Sequence, residues 1–172
     1  MSTYSPFIRD IPDFPKPGII FKDITPLLLN PSLFAQACQD MALPYKNCGI
    51  QIVAAAEARG FLFGPAIARE LNAGFLPVRK PGKLPGTVIK QSYDLEYGTD
   101  SLEIHAGQIT PGAQVLVVDD VLATGGTMAA TLKLIEQAQG IVSGFSFFIE
   151  LSFLNGRQKL NSKRVHSVLS TP

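Results

Sequence analysis

Apolar residues along this chain fall into two kinds of run. Ile50–Ala56, Phe75–Val78, Val115–Val118 and Ile141–Leu151 are largely continuous and do not alternate with polar residues. Such runs fit strands covered on both faces, as in a parallel sheet between helix layers. Between them, apolar positions recur at helical spacing. Leu33, Phe34, Ala37 and Met41 follow Asn30-Pro31, a pair suited to the cap and first position of a helix. Ile67, Ala68 and Leu71 follow Gly64-Pro65 and end near Gly74; Met128, Leu132 and Ile135 precede Gly140. Short strands are predicted at Leu102–His105 and Val165–Leu169, with a short helical segment near Leu154–Leu160. Alternating strands and helices predict an α/β fold with a mainly parallel central sheet flanked by helices.

Two stretches escape this pattern. The first thirty residues are rich in proline and predict an irregular but ordered arm with short turns. Residues 79–101 are polar and broken by Gly82, Gly86 and Gly98; they predict a small flexible hood, with room for an antiparallel hairpin. Residues 1–172 read as one domain.

Composition narrows the picture. At 172 residues and 46% hydrophobic content the chain can bury a substantial core. A net charge of +1 points to neither a nucleic-acid nor a membrane partner. No apolar stretch approaches the roughly 20 residues that span a bilayer, and no secretory pattern opens the chain, so the cytoplasm is the expected location. Cys38 and Cys48 show neither a disulfide framework nor metal spacing and read as packed reduced thiols; His105 and His166 sit in no catalytic motif.

The chemistry concentrates in Val115-Leu116-Val117-Val118-Asp119-Asp120-Val121-Leu122-Ala123-Thr124-Gly125-Gly126-Thr127. An apolar strand ends at two carboxylates, a loop of small and hydroxyl residues follows, and a helix begins at Thr127. In open α/β sheets ligands bind at that edge. Gly125 and Gly126 permit close approach, and the amides from Ala123 to Thr127 can converge on a phosphate. The loop lacks the lysine of a nucleotide-triphosphate loop, so a monoester fits better than a polyphosphate. Asp119 and Asp120 would repel a bare phosphate, but they suit sugar hydroxyls and Mg²⁺. The ligand reads as a ribose phosphate. The plainer reading is a polar turn in which one aspartate caps the helix.

Other segments point the same way. Glu57-Ala58-Arg59-Gly60 follows a buried strand, and Arg59 offers a rigid fork for a diphosphate or for an ion pair with Glu57 or another carboxylate. Arg79-Lys80-Pro81-Gly82-Lys83 opens the hood with cations, Lys80 foremost, which suit a polyanion or a solvated loop. Tyr93-Asp94-Leu95-Glu96-Tyr97-Gly98 closes it. In Pro17–Pro26, Ile20, Phe21 and Lys22 offer a slot where a flat purine could stack on Phe21. Residue types alone favour Ile20 and Phe21 joining the core.

The block Val115–Thr127 resembles the phosphoribosyl-pyrophosphate motif of type I phosphoribosyltransferases. PGIIFKDITPLL, EARGFLFGP, RKPGKLPG, YDLEYG and ELSFLNGRQKL extend the likeness to the adenine-using branch, from about Pro17 to Leu160. The resemblance implies transfer of phosphoribosyl from phosphoribosyl pyrophosphate to adenine, giving AMP and diphosphate in purine salvage, with Mg²⁺ and a homodimer. It places Asp119, Asp120 and Ala123, Thr124, Gly125, Gly126 and Thr127 on the ribose 5-phosphate, and Mg²⁺ on the substrate with Asp119 and Asp120 near it. Ala58, Arg59, Lys80 and Lys83 fall on the diphosphate, with a cis peptide at Glu57–Ala58. Ile20, Phe21, Lys22 and Leu122 fall on the adenine. Ala123 stands where hypoxanthine and guanine enzymes carry an aspartate, so the proton at the base passes to Glu96, with Arg59 the second catalytic group. A different base, or a catalytically silent phosphoribosyl-binding regulator, is the alternative; the regulator would be expected to carry a basic face or an added domain.

Overall fold

A computed structural model describes residues 2–94, 99–161 and 163–171. The chain packs as two compact units, one reaching to Cys38 and one beginning at Gln39.

The first unit holds strands β1 (Arg9–Pro12) and β2 (Ile20–Asp23), the short helix α1 (Thr25–Leu28) and the start of α2 (Pro31–Ala42). The two strands form an antiparallel ladder where the sequence predicted only irregular turns. Local propensity hides it because β1 is exposed throughout and carries no apolar alternation. Charge sets its register instead. Arg9 lies opposite Asp23 and Asp10 opposite Lys22, and both pairs close as ion pairs at 2.5 and 2.7 Å. Phe14 meets Phe21 edge-to-face at 5.2 Å. The Asn30 side chain accepts from the Leu33 amide at 3.1 Å, so the predicted cap of α2 forms with Pro31 in the first turn.

The second unit is built on a five-stranded parallel sheet. In chain order it adds β3 (Ile52–Ala56), α3 (Gly60–Glu70), β4 (Gly74–Val78), β5 (Val88–Asp94), β6 (Thr99–His105), β7 (Gln114–Leu122), α4 (Gly126–Gln137), β8 (Ile141–Leu151) and β9 (Val165–Thr171). The sheet order is β4-β3-β7-β8-β9. The chain leaves β3 toward one edge and returns through β7 toward the other, so a topological switch point lies between these two strands.

Val115 to Val118 are fully buried, which explains their unbroken apolar run. On one face Ala54, Ala56, Val117 and Phe147 pack with Met128, Leu132 and Ile135 of α4 and with Leu102 and Ile104 of β6. On the other, Phe63 of α3 stacks on Phe148 at 5.7 Å. The predicted Leu102–His105 strand is the inner half of β6, which pairs with β5 in the antiparallel hairpin of the hood. Two short 3₁₀ turns, Ser152–Leu154 and Gly156–Lys159, replace the predicted helical segment.

Helix α3 starts at Gly60, four residues before the predicted start at Gly64-Pro65, and keeps Pro65 inside. Gly64 serves packing rather than initiation. A β-carbon there would lie 2.5 Å from the Phe75 ring and 3.0 Å from Ala55, so only glycine lets the helix settle on this alanine strand. Cys38 is buried as expected, but Cys48 is exposed. Among the described residues, no helix is long and apolar enough to cross a membrane.

Tyr45 is buried, and its hydroxyl donates to the Phe145 carbonyl at 2.8 Å. Burial pushes the phenol up to about 12. A folded-state value above the ordinary value of about 10 stabilises the fold fully below pH ~10, and that contribution is lost as pH rises through ~12. Tyr45→Phe is expected to cost about 1 kcal/mol at neutral pH. It should also flatten urea-unfolding stability between pH ~10 and ~12, where the parent protein loses this contribution.

Candidate functional site

The loops that leave β3 and β7 are neighbours because their strands are. Each runs at once into a helix, α3 at Gly60 and α4 at Gly126. Both helix amino ends therefore stand at the switch point, where their free N–H groups favour anions.

Strand β7 runs through the carboxylate pair to Leu122 rather than stopping at it. Exposure then alternates: Asp119 and Val121 are half-buried, whereas Asp120 and Leu122 are 5% and 1% exposed. Leu122 packs into the core and also lines the cavity at the loop. Val121 is the accessible apolar residue beside Asp119, a position that strand period could have revealed.

Asp119 Oδ1 accepts the Asp120 amide at 2.9 Å, and Asp120 is ion-paired with Arg59. Burial, with the neighbouring Asp120 charge, pushes the Asp119 carboxyl well above the usual range. Burial also raises Asp120, and the Arg59 guanidinium opposes it. A β-carbon on Gly60 would stand 3.0 Å from Asp119 Oδ1, so the start of α3 lies against the end of β7. The carboxylate that pairs with Arg59 here is Asp120.

Gly125 has φ +77° and caps α4 in the left-handed region. Among the described residues, no protein acceptor takes the amides of Thr124, Gly125, Gly126 or Thr127. Their residues line a cavity of about 80 Å³ with Asp119, Val121, Leu122 and Ala123. Such a cradle of unspent donors is the feature expected of a phosphate site.

The Glu57–Ala58 peptide is cis, as the resemblance implied, and Ala58 is exposed. The Glu57 carboxylate accepts from Arg79 Nε at 2.7 Å and from the Lys80 amide at 2.6 Å. Burial works against this carboxylate, but those two hydrogen bonds outweigh it and hold the group below its ordinary value. The root of the hood is thereby fixed to the end of β3. The Lys80 ammonium pairs with Asp100 on β6, a partner invisible in sequence because hairpin register creates it. Lys83 is exposed. Glu96 lies outside the described residues.

Ile20 on β2 is 53% exposed and Phe21 is half-buried, so neither joins the core as residue type suggested. Lys22 is engaged through its ammonium by Asp10.

Residues 29–142 match the family model of the phosphoribosyl transferase domain. An adenine phosphoribosyltransferase of Rhodopirellula baltica is 54% identical over 94% of this chain and 79% of its own length. One of Acidobacterium capsulatum is 52% identical over 94% of this chain and 90% of its own. Among solved structures, the adenine phosphoribosyltransferase of Rhodothermus marinus superposes with a TM-score of 0.93 at 49% identity, covering 98% of this chain and 97% of that one. The Saccharomyces cerevisiae enzyme, complexed with D-2,5-dideoxy-2,5-imino-altritol 1,6-bisphosphate and adenine, gives a TM-score of 0.91 at 41% identity, covering 95% of each chain.

The Arg59–Asp120 pair generates a prediction with a definite pH sign. Arg59→Ala should destabilise the protein by about 2 kcal/mol at pH 8 by stranding a buried charge. Without arginine the folded-state value of Asp120 rises further above its unfolded value of about 3.9, so the deficit should shrink as pH falls toward 4 and the carboxyl takes a proton. Urea unfolding across that range measures it. A deficit that stays constant with pH, or that Asp120→Asn fails to relieve, would contradict the pairing.

Proposed function

The chain belongs to the phosphoribosyl transferase family, and on that footing we propose that it transfers phosphoribosyl from phosphoribosyl pyrophosphate to adenine, releasing AMP and diphosphate in purine salvage. The observation that carries the reading is the row of amides from Thr124 to Thr127, without an acceptor among the described residues, beside half-buried Asp119 and buried Asp120. It can read a phosphate monoester and a sugar diol on one ligand. The adenine branch is supported by the names of the relatives and by Ala123 in place of a loop carboxylate.

The steps follow from the groups. The loop amides and the Thr124 and Thr127 hydroxyls hold the 5-phosphate. Asp119 and Asp120 accept hydrogen bonds from the ribose hydroxyls. Mg²⁺ takes oxygen ligands and keeps substrate and water oxygens among them. Asp119 and Asp120 are the donors that would receive a Mg²⁺ carried on the diphosphate, where the ion would neutralise leaving-group charge.

As the bond from C1 to diphosphate breaks, positive charge grows on the ribose and negative charge on the leaving group. Arg59, Lys80 and Lys83, with the Ala58 amide, take the diphosphate side. Arg59 and Lys80 are paired with Asp120 and Asp100, so to engage a diphosphate both must share or exchange those partners. Adenine N9 attacks C1, and Glu96 manages the proton at N7. Backbone groups at Ile20 and Lys22 read the exocyclic amine and N1, with Phe21 under the ring. Donors and acceptors exchange places in a 6-oxopurine, so it is rejected. The same reading carries a cytoplasmic homodimer; Leu29, 78% exposed, is the kind of apolar residue a second copy would cover.

Steady-state assay with phosphoribosyl pyrophosphate and a panel of bases tests the assignment. Adenine should turn over and hypoxanthine should not; the reverse would reject it, and binding without turnover would favour a silent regulator. Glu96→Gln should lower kcat about 10²–10⁴-fold with little change in KM for phosphoribosyl pyrophosphate, and an unaltered kcat would remove Glu96 from the mechanism.

A further inference from the structure

Among the described residues no acceptor takes the amides of the Thr124–Thr127 loop, so packing must hold its position. Its neighbour is the turn at Gly156. A β-carbon on Gly125 would fall on the Gly156 carbonyl oxygen, and one on Gly156 would fall on the Ala123 carbonyl oxygen. The two turns therefore lie backbone against backbone, without space for a methyl group on either side.

The residue after Gly156 is held with unusual firmness. Arg157 forks onto Glu150, its Nε and Nη2 each 2.5 Å from a carboxylate oxygen. Its Nη1 donates to the Val165 carbonyl at 3.0 Å. Glu150 is 5% exposed and also accepts the Ser167 hydroxyl at 2.7 Å. It sits near the end of β8, in register with Leu122 of β7 and Ser170 of β9. Leu160, fully buried, anchors the far end of the segment. A buried ion pair is a weak device for stability, because desolvation offsets its attraction, but its fixed fork sets geometry well.

We infer that Glu150 and Arg157 are positioning residues that act through Gly156 to set the Thr124–Thr127 loop for a phosphate monoester. The inference rests on the reading of that loop as the phosphate cradle. It gives the ELSFLNGRQKL segment a part in binding, although neither charged side chain need touch the ligand.

Calorimetric titration of the full chain with ribose 5-phosphate and, separately, with magnesium diphosphate tests it. Glu150→Gln and Gly156→Ala should each weaken ribose 5-phosphate binding by about tenfold, the scale of a small misplacement in a site. Magnesium diphosphate, read at the Ala58–Arg59 and Lys80 side, should bind as before. Arg157→Lys keeps the charge but loses the fork, so it should show a smaller loss of the same selectivity and remains informative if Glu150→Gln does not fold. Equal losses for both ligands would reduce the pair to a general structural role and overturn the inference, as would unchanged ribose 5-phosphate affinity in folded variants. A parent protein that binds magnesium diphosphate but not ribose 5-phosphate would overturn the loop reading itself.

Discussion

Two carboxylates set side by side, one of them buried, are a liability, and the site depends on how this fold contains it. Asp119 is half-buried and Asp120 buried near the end of a strand covered on both faces, where water screens them poorly. Arg59, from the loop after the neighbouring strand, supplies the opposing charge. That pair ties the ends of β3 and β7 together across the switch point. The glycine that follows Arg59 lets α3 begin hard against Asp119. Charge neutralisation and close packing thus act on the same few atoms. A ligand bringing hydroxyls or a cation can satisfy the pair further, which converts the cost of burial into affinity.

The same logic governs the hood. Glu57 fixes its root by holding Arg79 and the Lys80 amide, while Asp100 engages the Lys80 ammonium from the second hood strand. Hood strand β5 also lies on α4, with Ile89 and Tyr93 against the core and Gln137 bonded to Gln91 at 2.8 Å. The helix whose amino end follows the Thr124–Gly125 turn is thus the helix on which the hood rests. Of the cations proposed for the diphosphate, Arg59 and Lys80 are each balanced by a carboxylate. This keeps a basic cluster from repelling itself and leaves polyanion binding as an exchange of partners.

Much of this was legible in the chain, for local reasons. Unbroken apolar runs mark strands buried on both faces, and Val115–Val118 and Ile141–Leu151 appear where those runs stand. The Asn30 cap, the glycines after Ala123 and the hood hairpin follow from backbone preference. What misled was equally physical. Gly64-Pro65 looks like a helix start, but the glycine answers to Phe75 on another element.

The sequence by itself determined the elements, the parallel class of the sheet and the loops that carry chemistry, because each depends on spacing within a few residues. It also carried the family, because several short blocks stand in one order. The tertiary structure alone decided which charges meet: Arg59 with Asp120, Arg79 with Glu57, Lys80 with Asp100 and Arg157 with Glu150. Those partners come from different strands and loops, and only strand order and register bring them within reach. It likewise decided that Gly125 and Gly156 must both lack a side chain, since each is defined by the backbone of the other.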